Sequence, residues 1–210
     1  MKVHVFPPSP NARKVLIALN HLGLQAEICF VDLFAGAQRK PEFLALNPNH
    51  VMPVLEDGDF VLWESNAILQ YLGSKRSESG FWPSEPRTQA DVSRWQSWQL
   101  AHWGPACGTM IFEHLVKRLT GGGDPNPAEV AKGEESVKRF GAVLDRYLAG
   151  RKYLVGERMT AADVSCGVWL TYRREGKLPI EGFRNVQRWY EGLEQLESWK
   201  KAAPPPLPGS

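Results

Sequence analysis

Asn47-Pro-Asn-His-Val-Met-Pro-Val-Leu-Glu-Asp-Gly-Asp-Phe-Val-Leu-Trp-Glu-Ser-Asn66 is the stretch of sequence that decides the fold of this chain. It contains two short apolar runs, Val54-Leu55 and Phe60 to Trp63, on either side of an Asp57-Gly58 pair. This arrangement predicts a β-hairpin, because glycine tolerates the positive φ angles that tight hairpin turns need. A helix is expected to begin directly after the hairpin, at Ser65.

The two ends of this hairpin are suited to binding a small acidic peptide. Met52-Pro53 is a candidate cis peptide bond, because an X-Pro bond loses most of the usual preference for trans. The bend leaves the backbone N–H and C=O of Met52 free to pair with an extended peptide, as the edge of a sheet does. At the other end, Ser65 is predicted to cap a helix whose free N–H groups favour a carboxylate.

Extended and helical patterns alternate over the first 76 residues. Residues 2 to 6 and about 26 to 31 predict strands, and residues 42 to 46 predict a short helix. Leucine and valine recur at helical spacing from Val15 to Leu22, and Gly23 marks the end of that helix. With the hairpin and its following helix, the predicted order is β-α-β-α-β-β-α. We therefore expect an α/β domain of thioredoxin-like arrangement, with a four-stranded mixed sheet, over residues 1–76.

The second part of the chain is predicted to be all-α. Residues 77–86 are a linker rich in Ser, Glu and Pro. The apolar pattern that follows predicts one long helix, bent where Gly104-Pro105 removes a backbone donor, and a second long helix over residues 128–148. Thr160-Ala-Ala-Asp163 has the spacing of a capping box, and a last helix is expected over residues 186–201. The predicted helical domain spans residues 87–210.

Composition excludes several classes of partner. The chain has 25 Lys and Arg against 23 Asp and Glu, so its formal net charge of +2 argues against nucleic acid and anionic membranes. The three cysteines are widely spaced and form no Cys-x-x-Cys or zinc pattern, so we expect no metal and a reducing, cytoplasmic location. The first residues contain no long apolar core, so neither a secretion signal nor a membrane span is expected.

The order of these motifs resembles that of the cytosolic glutathione transferases, from Val3 to about Ala202. The motifs that carry the resemblance are Asn47-Pro48, Met52-Pro-Val-Leu55, Trp63-Glu-Ser-Asn-Ala-Ile68, and Tyr153-Leu-Val-Gly156 ahead of the capping box. The resemblance implies glutathione as co-substrate, with the backbone of Met52, next to Pro53, paired with its cysteinyl part. Glu64 and Ser65 match the residues that hold its γ-glutamyl end. A two-fold symmetric homodimer is also implied, the small domain of one chain lying against the helical domain of the other.

The turn before the first helix has the groups to activate the thiol of glutathione. A thiol has a pKa of roughly 8.5, and its ionised form, the thiolate, is the nucleophile. The hydroxyl of Ser9 can donate to sulfur, the amide of Asn11 can add a second donor, and Arg13 and Lys14 add positive potential. Ser9 resembles the serine of the phi and theta classes and of bacterial-type relatives. The absence of Tyr in residues 1 to 20, and of Cys before Cys29, argues against tyrosine-type and redox-cysteine classes.

The residues before the cis-proline depart from the family pattern, and the residue that binds the glycyl carboxylate is not determined by the sequence. The family usually has Gly and then Lys or Gln before the cis-proline, whereas this chain has His50 and Val51. Val51 cannot bond the glycyl carboxylate, so that role is left between His50 and the loop residues Arg39 and Lys40. We also expect Trp103 and Met110 to wall an apolar pocket for a small hydrophobic electrophile.

Three functions are compatible with this pattern. The first is a glutathione transferase that conjugates the thiolate to apolar electrophiles, with a role in detoxification. The second is a glutathione-dependent disulfide or peroxide reductase, because Pro8-Ser-Pro-Asn11 also resembles the Thr-Pro-Asn turn of bacterial Nu-type relatives. The third is a non-catalytic interaction module, which the loss of Lys or Gln at Val51 favours and the retention of Ser9 and Glu64-Ser65 opposes.

Overall fold

The computed structural model of the protein describes residues 1–205, and residues 206–210, the end of the predicted helical domain, lie outside the described residues. The chain packs into two units. The first unit contains Met1–Ser84 together with the segment that begins at Leu196, and the second contains Glu85–Gln195.

A four-stranded mixed sheet forms the centre of the first unit. Its strands are β1 (Lys2–Val5), β2 (Glu27–Phe30), β3 (Val54–Asp57) and β4 (Phe60–Trp63), in the spatial order β2-β1-β3-β4. β1 pairs with β2 in parallel, and the β1–β3 and β3–β4 pairs are antiparallel. Gly58, at φ 66, makes the turn of the predicted hairpin.

Three helices complete the predicted order in this unit. They are α1 (Pro10–Leu22), α2 (Pro41–Leu46) and α3 (Ser65–Ser74). α1 ends at Gly23 in the left-handed conformation, as glycine after a helix commonly does. Fully buried aliphatic side chains of the sheet and of α1 and α3 form the core, among them Val3, Val5, Val15, Ile17, Val54, Leu55, Ile68, Leu69 and Leu72. The predicted order β-α-β-α-β-β-α is confirmed.

The C-terminal segment packs with the first unit instead of continuing the helical one. The expected helix over residues 186–201 is two helices, α9 (Arg184–Glu194) and α10 (Glu197–Lys201), and only α10 lies in the first unit. Arg13, which is buried, donates from Nε to the carbonyl oxygen of Ala202 at 3.0 Å and lies over the ring of Trp199 at 4.9 Å. Arg13, which the sequence predicts only as a source of positive potential, therefore anchors α10 to α1.

The second unit is built from helices. They are α4 (Pro86–Trp98), α5 (Gly104–Ile111), α6 (Lys117–Thr120), α7 (Pro127–Tyr147), α8 (Ala161–Gly167) and α9. The expected long bent helix corresponds to α4, α5 and α6, which two wider π-helical turns, Gln99–Trp103 and Phe112–Val116, join end to end. The first of these turns lies directly before Gly104-Pro105, where the missing proline N–H interrupts the α-helical ladder.

The predicted capping box starts α8. The side chain of Thr160 and that of Asp163 each accept from the other's backbone N–H in the reciprocal pattern of such a box. The carboxylate of Asp163, which is fully buried, also accepts from the backbone N–H of Leu154 at 2.8 Å and from the indole Nε1 of Trp189 at 3.0 Å. Asp163 thus connects three segments of the second unit. Along residues 1–205, no helix has both the length and the apolar character needed to cross a membrane.

Candidate active site

Six of the residues predicted to bind glutathione or activate its thiol surround one cleft of the first unit. The cleft has a volume of about 220 Å³ and is lined by Asn11, Val51, Met52, Pro53, Glu64 and Ser65. Typical cavities for drug-sized ligands measure roughly 300–1,000 Å³. The cleft therefore suits one part of an extended peptide, with the rest of the peptide lying along the surface.

The loop on one side of the cleft is shaped by a buried asparagine. Asn47 is fully buried, and its Nδ2 donates to the carbonyl oxygen of Val51 at 2.7 Å while its Oδ1 accepts from the N–H of Asn49 at 3.0 Å. These bonds close the loop into a compact turn with His50 at φ 59. The sequence marks this loop as a turn, but it gives no sign that Asn47 holds it from the inside.

Met52 presents its backbone to the cleft and its side chain to the core. The Met52-Pro53 bond is cis, as predicted. The side chain of Met52 is buried in a cluster with Phe6, Val31 and Phe43. Within residues 1–205, neither the N–H nor the C=O of Met52 takes part in a hydrogen bond between backbone groups. Both groups are thus available to an added extended peptide, in the manner of strand addition.

The opposite wall of the cleft is the start of α3. Glu64 precedes this helix at φ 71 and ψ 109, a conformation that is strained for any residue other than glycine. The side chain of Glu64 is exposed at the cleft, whereas Ser65 is buried. Since the first N–H groups of a helix have no acceptor within it, this wall combines a carboxylate with backbone donors. Such a pair can hold the amino and carboxylate groups of a γ-glutamyl residue.

The turn before α1 brings the two predicted thiol-activating residues to the same region. Ser9 precedes α1, and its side chain makes no capping hydrogen bond to the helix. The helix thus does not hold this hydroxyl in place, and its O–H can donate to an incoming group. The Oδ1 of Asn11 accepts from the Oγ of Ser65 at 3.4 Å, which leaves the Nδ2 amide as the donor on that side chain.

Two exposed aromatic residues lie beside this turn. The backbone N–H of Ser9 donates to the carbonyl oxygen of Phe6 at 2.8 Å, and the ring of Phe6 packs edge-on against that of Phe34, with centroids 5.5 Å apart. Phe30 contacts the same ring at 6.0 Å. Phe30 and Phe34 are 62% and 61% exposed. Strand alternation gives no prediction for these two residues, because Phe30 is the last residue of β2 and Phe34 lies in the turn beyond it.

The structure separates several other predicted residues from the cleft. Arg39 and Lys40 are exposed and do not line it, and His50 is exposed in the neighbouring loop. Trp103 and Met110 cannot act as the pocket wall that we expected, because both are fully buried. The indole of Trp103 donates to the carbonyl oxygen of Cys166 at 3.0 Å, and Met110 packs close to Gly133. Both side chains belong to the core of the second unit.

A larger cleft in the second unit contains none of the predicted residues. It has a volume of about 570 Å³, and its lining includes Arg94, Trp95, Arg146, Tyr147 and Arg151. We assign the site to the smaller of these two clefts, because it combines exposed backbone groups, a helix N-terminus and a neighbouring hydroxyl. Among residues 1–205 there is no group of three or more His, Cys, Asp and Glu side chains that could hold a metal ion.

Comparison with known proteins finds the same relatives for both halves of the chain. Residues 1–74 match the family described as Glutathione S-transferase, N-terminal domain, and residues 105–197 match Glutathione S-transferase, C-terminal domain. The chain is 36% identical over 214 residues to Glutathione S-transferase 3 of Zea mays, an alignment that covers 99% of this chain and 96% of that protein.

Solved structures are similar over nearly the whole chain. A glutathione S-transferase from Pseudomonas fluorescens is 32% identical, with a TM-score of 0.85 over 94% of this chain and 96% of that chain. A glutathione transferase from Pseudomonas putida, solved with glutathione disulfide bound, is 27% identical, with a TM-score of 0.86 over 96% of this chain and 90% of that chain.

Proposed function

This chain belongs to the glutathione S-transferase family, and we propose that it conjugates glutathione, activated by Ser9 and Asn11, to apolar electrophiles. The observation that carries the proposal is the convergence of Asn11, Met52, Glu64 and Ser65 on one cleft. In the proposed pose, the backbone of Met52 pairs with the cysteinyl part of glutathione. The start of α3 holds its γ-glutamyl end, so the sulfur lies towards the turn that precedes α1.

Thiol activation in this proposal needs donors and no general base. The hydroxyl of Ser9 and the Nδ2 amide of Asn11 donate to the sulfur and favour its ionised form. Lowering the pKa of the thiol by about two units from roughly 8.5 corresponds to about 3 kcal/mol of preference for the thiolate. The thiol proton leaves to solvent, the thiolate forms a bond to the electrophilic carbon, and the leaving group departs with its electron pair.

The class of electrophile follows from the surface beside Ser9. Phe30 and Phe34 present apolar area next to the turn, and apolar pockets with few polar groups are the usual binding sites of small organic molecules. We assign to these two aromatic residues the contact with the apolar part of the substrate. This takes the place of the wall that the sequence predicted from Trp103 and Met110.

The remaining properties are carried over from the family resemblance and from composition. We propose that the enzyme is a homodimer, that it acts in the cytoplasm, and that it serves detoxification. The three free cysteines, Cys29, Cys107 and Cys166, support a reducing location. For the glycyl carboxylate of glutathione, the candidates are still His50, Arg39 and Lys40.

The proposal is tested by a binding titration and a product assay. We expect glutathione to bind below millimolar concentration and a nitro-activated aryl chloride to be converted to its thioether. The same preparation is assayed with a small organic disulfide and with a hydroperoxide. Reduction of these substrates without thioether formation would replace conjugation by the reductase function, and no binding of glutathione at millimolar concentration would leave only an interaction module.

A further inference from the structure

A buried lysine of α1 holds the start of α3, which is one wall of the cleft. Lys14 is fully buried, and its Nζ donates to the Oγ of Ser65 and to the Oδ1 of Asn66, each at 3.2 Å. Ser65 and Asn66 are the first two residues of α3, and they lie 51 and 52 positions from Lys14 in the sequence. Lys14 itself does not line the cleft. Its ammonium group therefore makes no direct contact with a ligand in the cleft.

The position of this charge is unfavourable for folding and favourable for binding an anion. Removing an ammonium group from water is costly even when it is hydrogen-bonded. Placing it at the start of α3 sets a cation against the positive end of the helix dipole. An anion bound at the start of α3 gains from both effects, because the ammonium and the dipole then attract the same group.

The hydrogen bonds also fix the direction of the Ser65 hydroxyl. Because the oxygen of Ser65 accepts from the ammonium of Lys14, its own proton is turned away from Lys14. The side chain that faces this proton is Asn11, whose Oδ1 lies 3.4 Å from the oxygen of Ser65. This distance is long for a hydrogen bond between two oxygen atoms, which is usually roughly 2.5–3.0 Å. A carboxylate in the cleft can therefore compete for the proton of Ser65.

We propose that Lys14 is a positioning residue, which orients the Ser65 hydroxyl towards the ligand carboxylate. This inference rests on the proposed function, because it assumes that glutathione occupies the cleft. The γ-glutamyl carboxylate then receives the Ser65 proton that the Oδ1 of Asn11 accepts in this structure.

The test is a double-mutant cycle on glutathione affinity with Lys14→Met and Ser65→Ala. We expect Lys14→Met to raise the Kd for glutathione about tenfold to hundredfold, the range for loss of a charged hydrogen bond. In the Ser65→Ala background the same change is expected to have a much smaller effect. Equal effects in both backgrounds would overturn the inference, since a purely structural role does not depend on the hydroxyl.

A second readout separates positioning from loss of structure. Lys14→Arg retains charge and donors, so it is expected to restore most of the affinity that Lys14→Met loses. If Lys14→Met does not fold, Ser65→Ala and Lys14→Arg are measured instead, and a Ser65→Ala protein that binds glutathione as tightly as the wild type does would contradict the inference. Failure of the wild type to bind glutathione would reject the proposed function itself.

Discussion

The Nε of Arg13 donates a 3.0 Å hydrogen bond to the carbonyl oxygen of Ala202, which joins the first helix of the chain to the segment that follows its last described helix. Arg13 also donates from Nη2 to the carbonyl oxygen of Trp199 at 3.4 Å and lies over the ring of that residue. The family models divide the chain into an N-terminal and a C-terminal part. The helix α10, which Arg13 contacts, lies almost wholly beyond the C-terminal match and packs in the first unit.

Replacement of Arg13 by Met is expected to destabilise the first unit. The change removes a donor from two buried carbonyl groups and removes the contact with Trp199, so we expect the free energy of unfolding to fall by about 2–4 kcal/mol. Chemical denaturation measures the loss, and limited proteolysis near α10 reports whether that helix detaches. Arg39→Met, which alters an exposed arginine, is the matched control. Equal stability of the two variants would show that Arg13 does not hold α10.

Two substitutions of Glu64 separate backbone strain from ligand binding. Glycine adopts φ 71 without strain, so Glu64→Gly is expected to raise the free energy of unfolding by about 1 kcal/mol. Glu64→Ala retains the strain and is expected to bring no such gain. Both variants lose the carboxylate at the cleft, so both should bind glutathione at least about tenfold more weakly. Calorimetric titration measures glutathione binding, and thermal unfolding measures stability. If Glu64→Ala gains as much stability as Glu64→Gly, the backbone at Glu64 is not strained.

A cation at position 51 is expected to strengthen glutathione binding. Val51 lines the cleft and is 51% exposed, and it stands where the family usually has Lys or Gln. An exposed ion pair contributes up to about 1 kcal/mol, so Val51→Lys should lower the Kd about threefold to fivefold, and added salt should remove the gain. Val51→Met, of similar length and no charge, is the control. If the methionine variant binds as tightly as the lysine variant, the glycyl carboxylate does not reach position 51.

Asp163 is expected to make stability depend on pH. Its burial raises its pKa to about 6, although hydrogen bonds from Thr160, Leu154 and Trp189 oppose the rise. The folded protein therefore holds this proton more tightly than the unfolded chain, whose pKa is near 3.8. The contribution of Asp163 to stability is fully present below about pH 3.8 and is reduced by about 3 kcal/mol as the pH rises through 6.

Comparison with Asp163→Asn isolates this effect, because asparagine does not titrate. The free energy of unfolding of the wild type, relative to that of the variant, should fall between pH 4 and pH 7. Urea titrations of both proteins across this range provide the measurement. A difference that stays constant with pH would mean that Asp163 is already ionised in the folded protein at pH 4.

The sequence was sufficient to predict the elements that local patterns decide. Asp57-Gly58, Met52-Pro53 and the Thr160 capping box are short-range signals, and each has the predicted conformation. Contacts between residues far apart in sequence were not predictable. The bonds of Arg13 to Ala202 and of Lys14 to Ser65 join positions 189 and 51 residues apart, and no pattern near either residue specifies its partner.

The spacing of apolar residues along a helix is also of limited use for predicting a binding site. This explains why the prediction that Trp103 and Met110 wall a pocket is wrong. The spacing of apolar residues indicates which face of a helix is apolar. It does not distinguish a face that packs into the core from one that contacts a ligand, because both are apolar. The exposure of Phe30 and Phe34 was also not predictable, because it depends on which residues cover the end of β2 and the turn after it.

The central claim is that Ser9 and Asn11 favour the thiolate of bound glutathione, and the most direct test is to titrate that thiol. The absorbance of the thiolate in the ultraviolet is followed against pH in the wild type, Ser9→Ala and Asn11→Ala, each saturated with glutathione. We expect the bound thiol of the wild type to titrate about two units below free glutathione, and Ser9→Ala to return it most of the way. A wild-type titration that coincides with that of free glutathione would contradict the account.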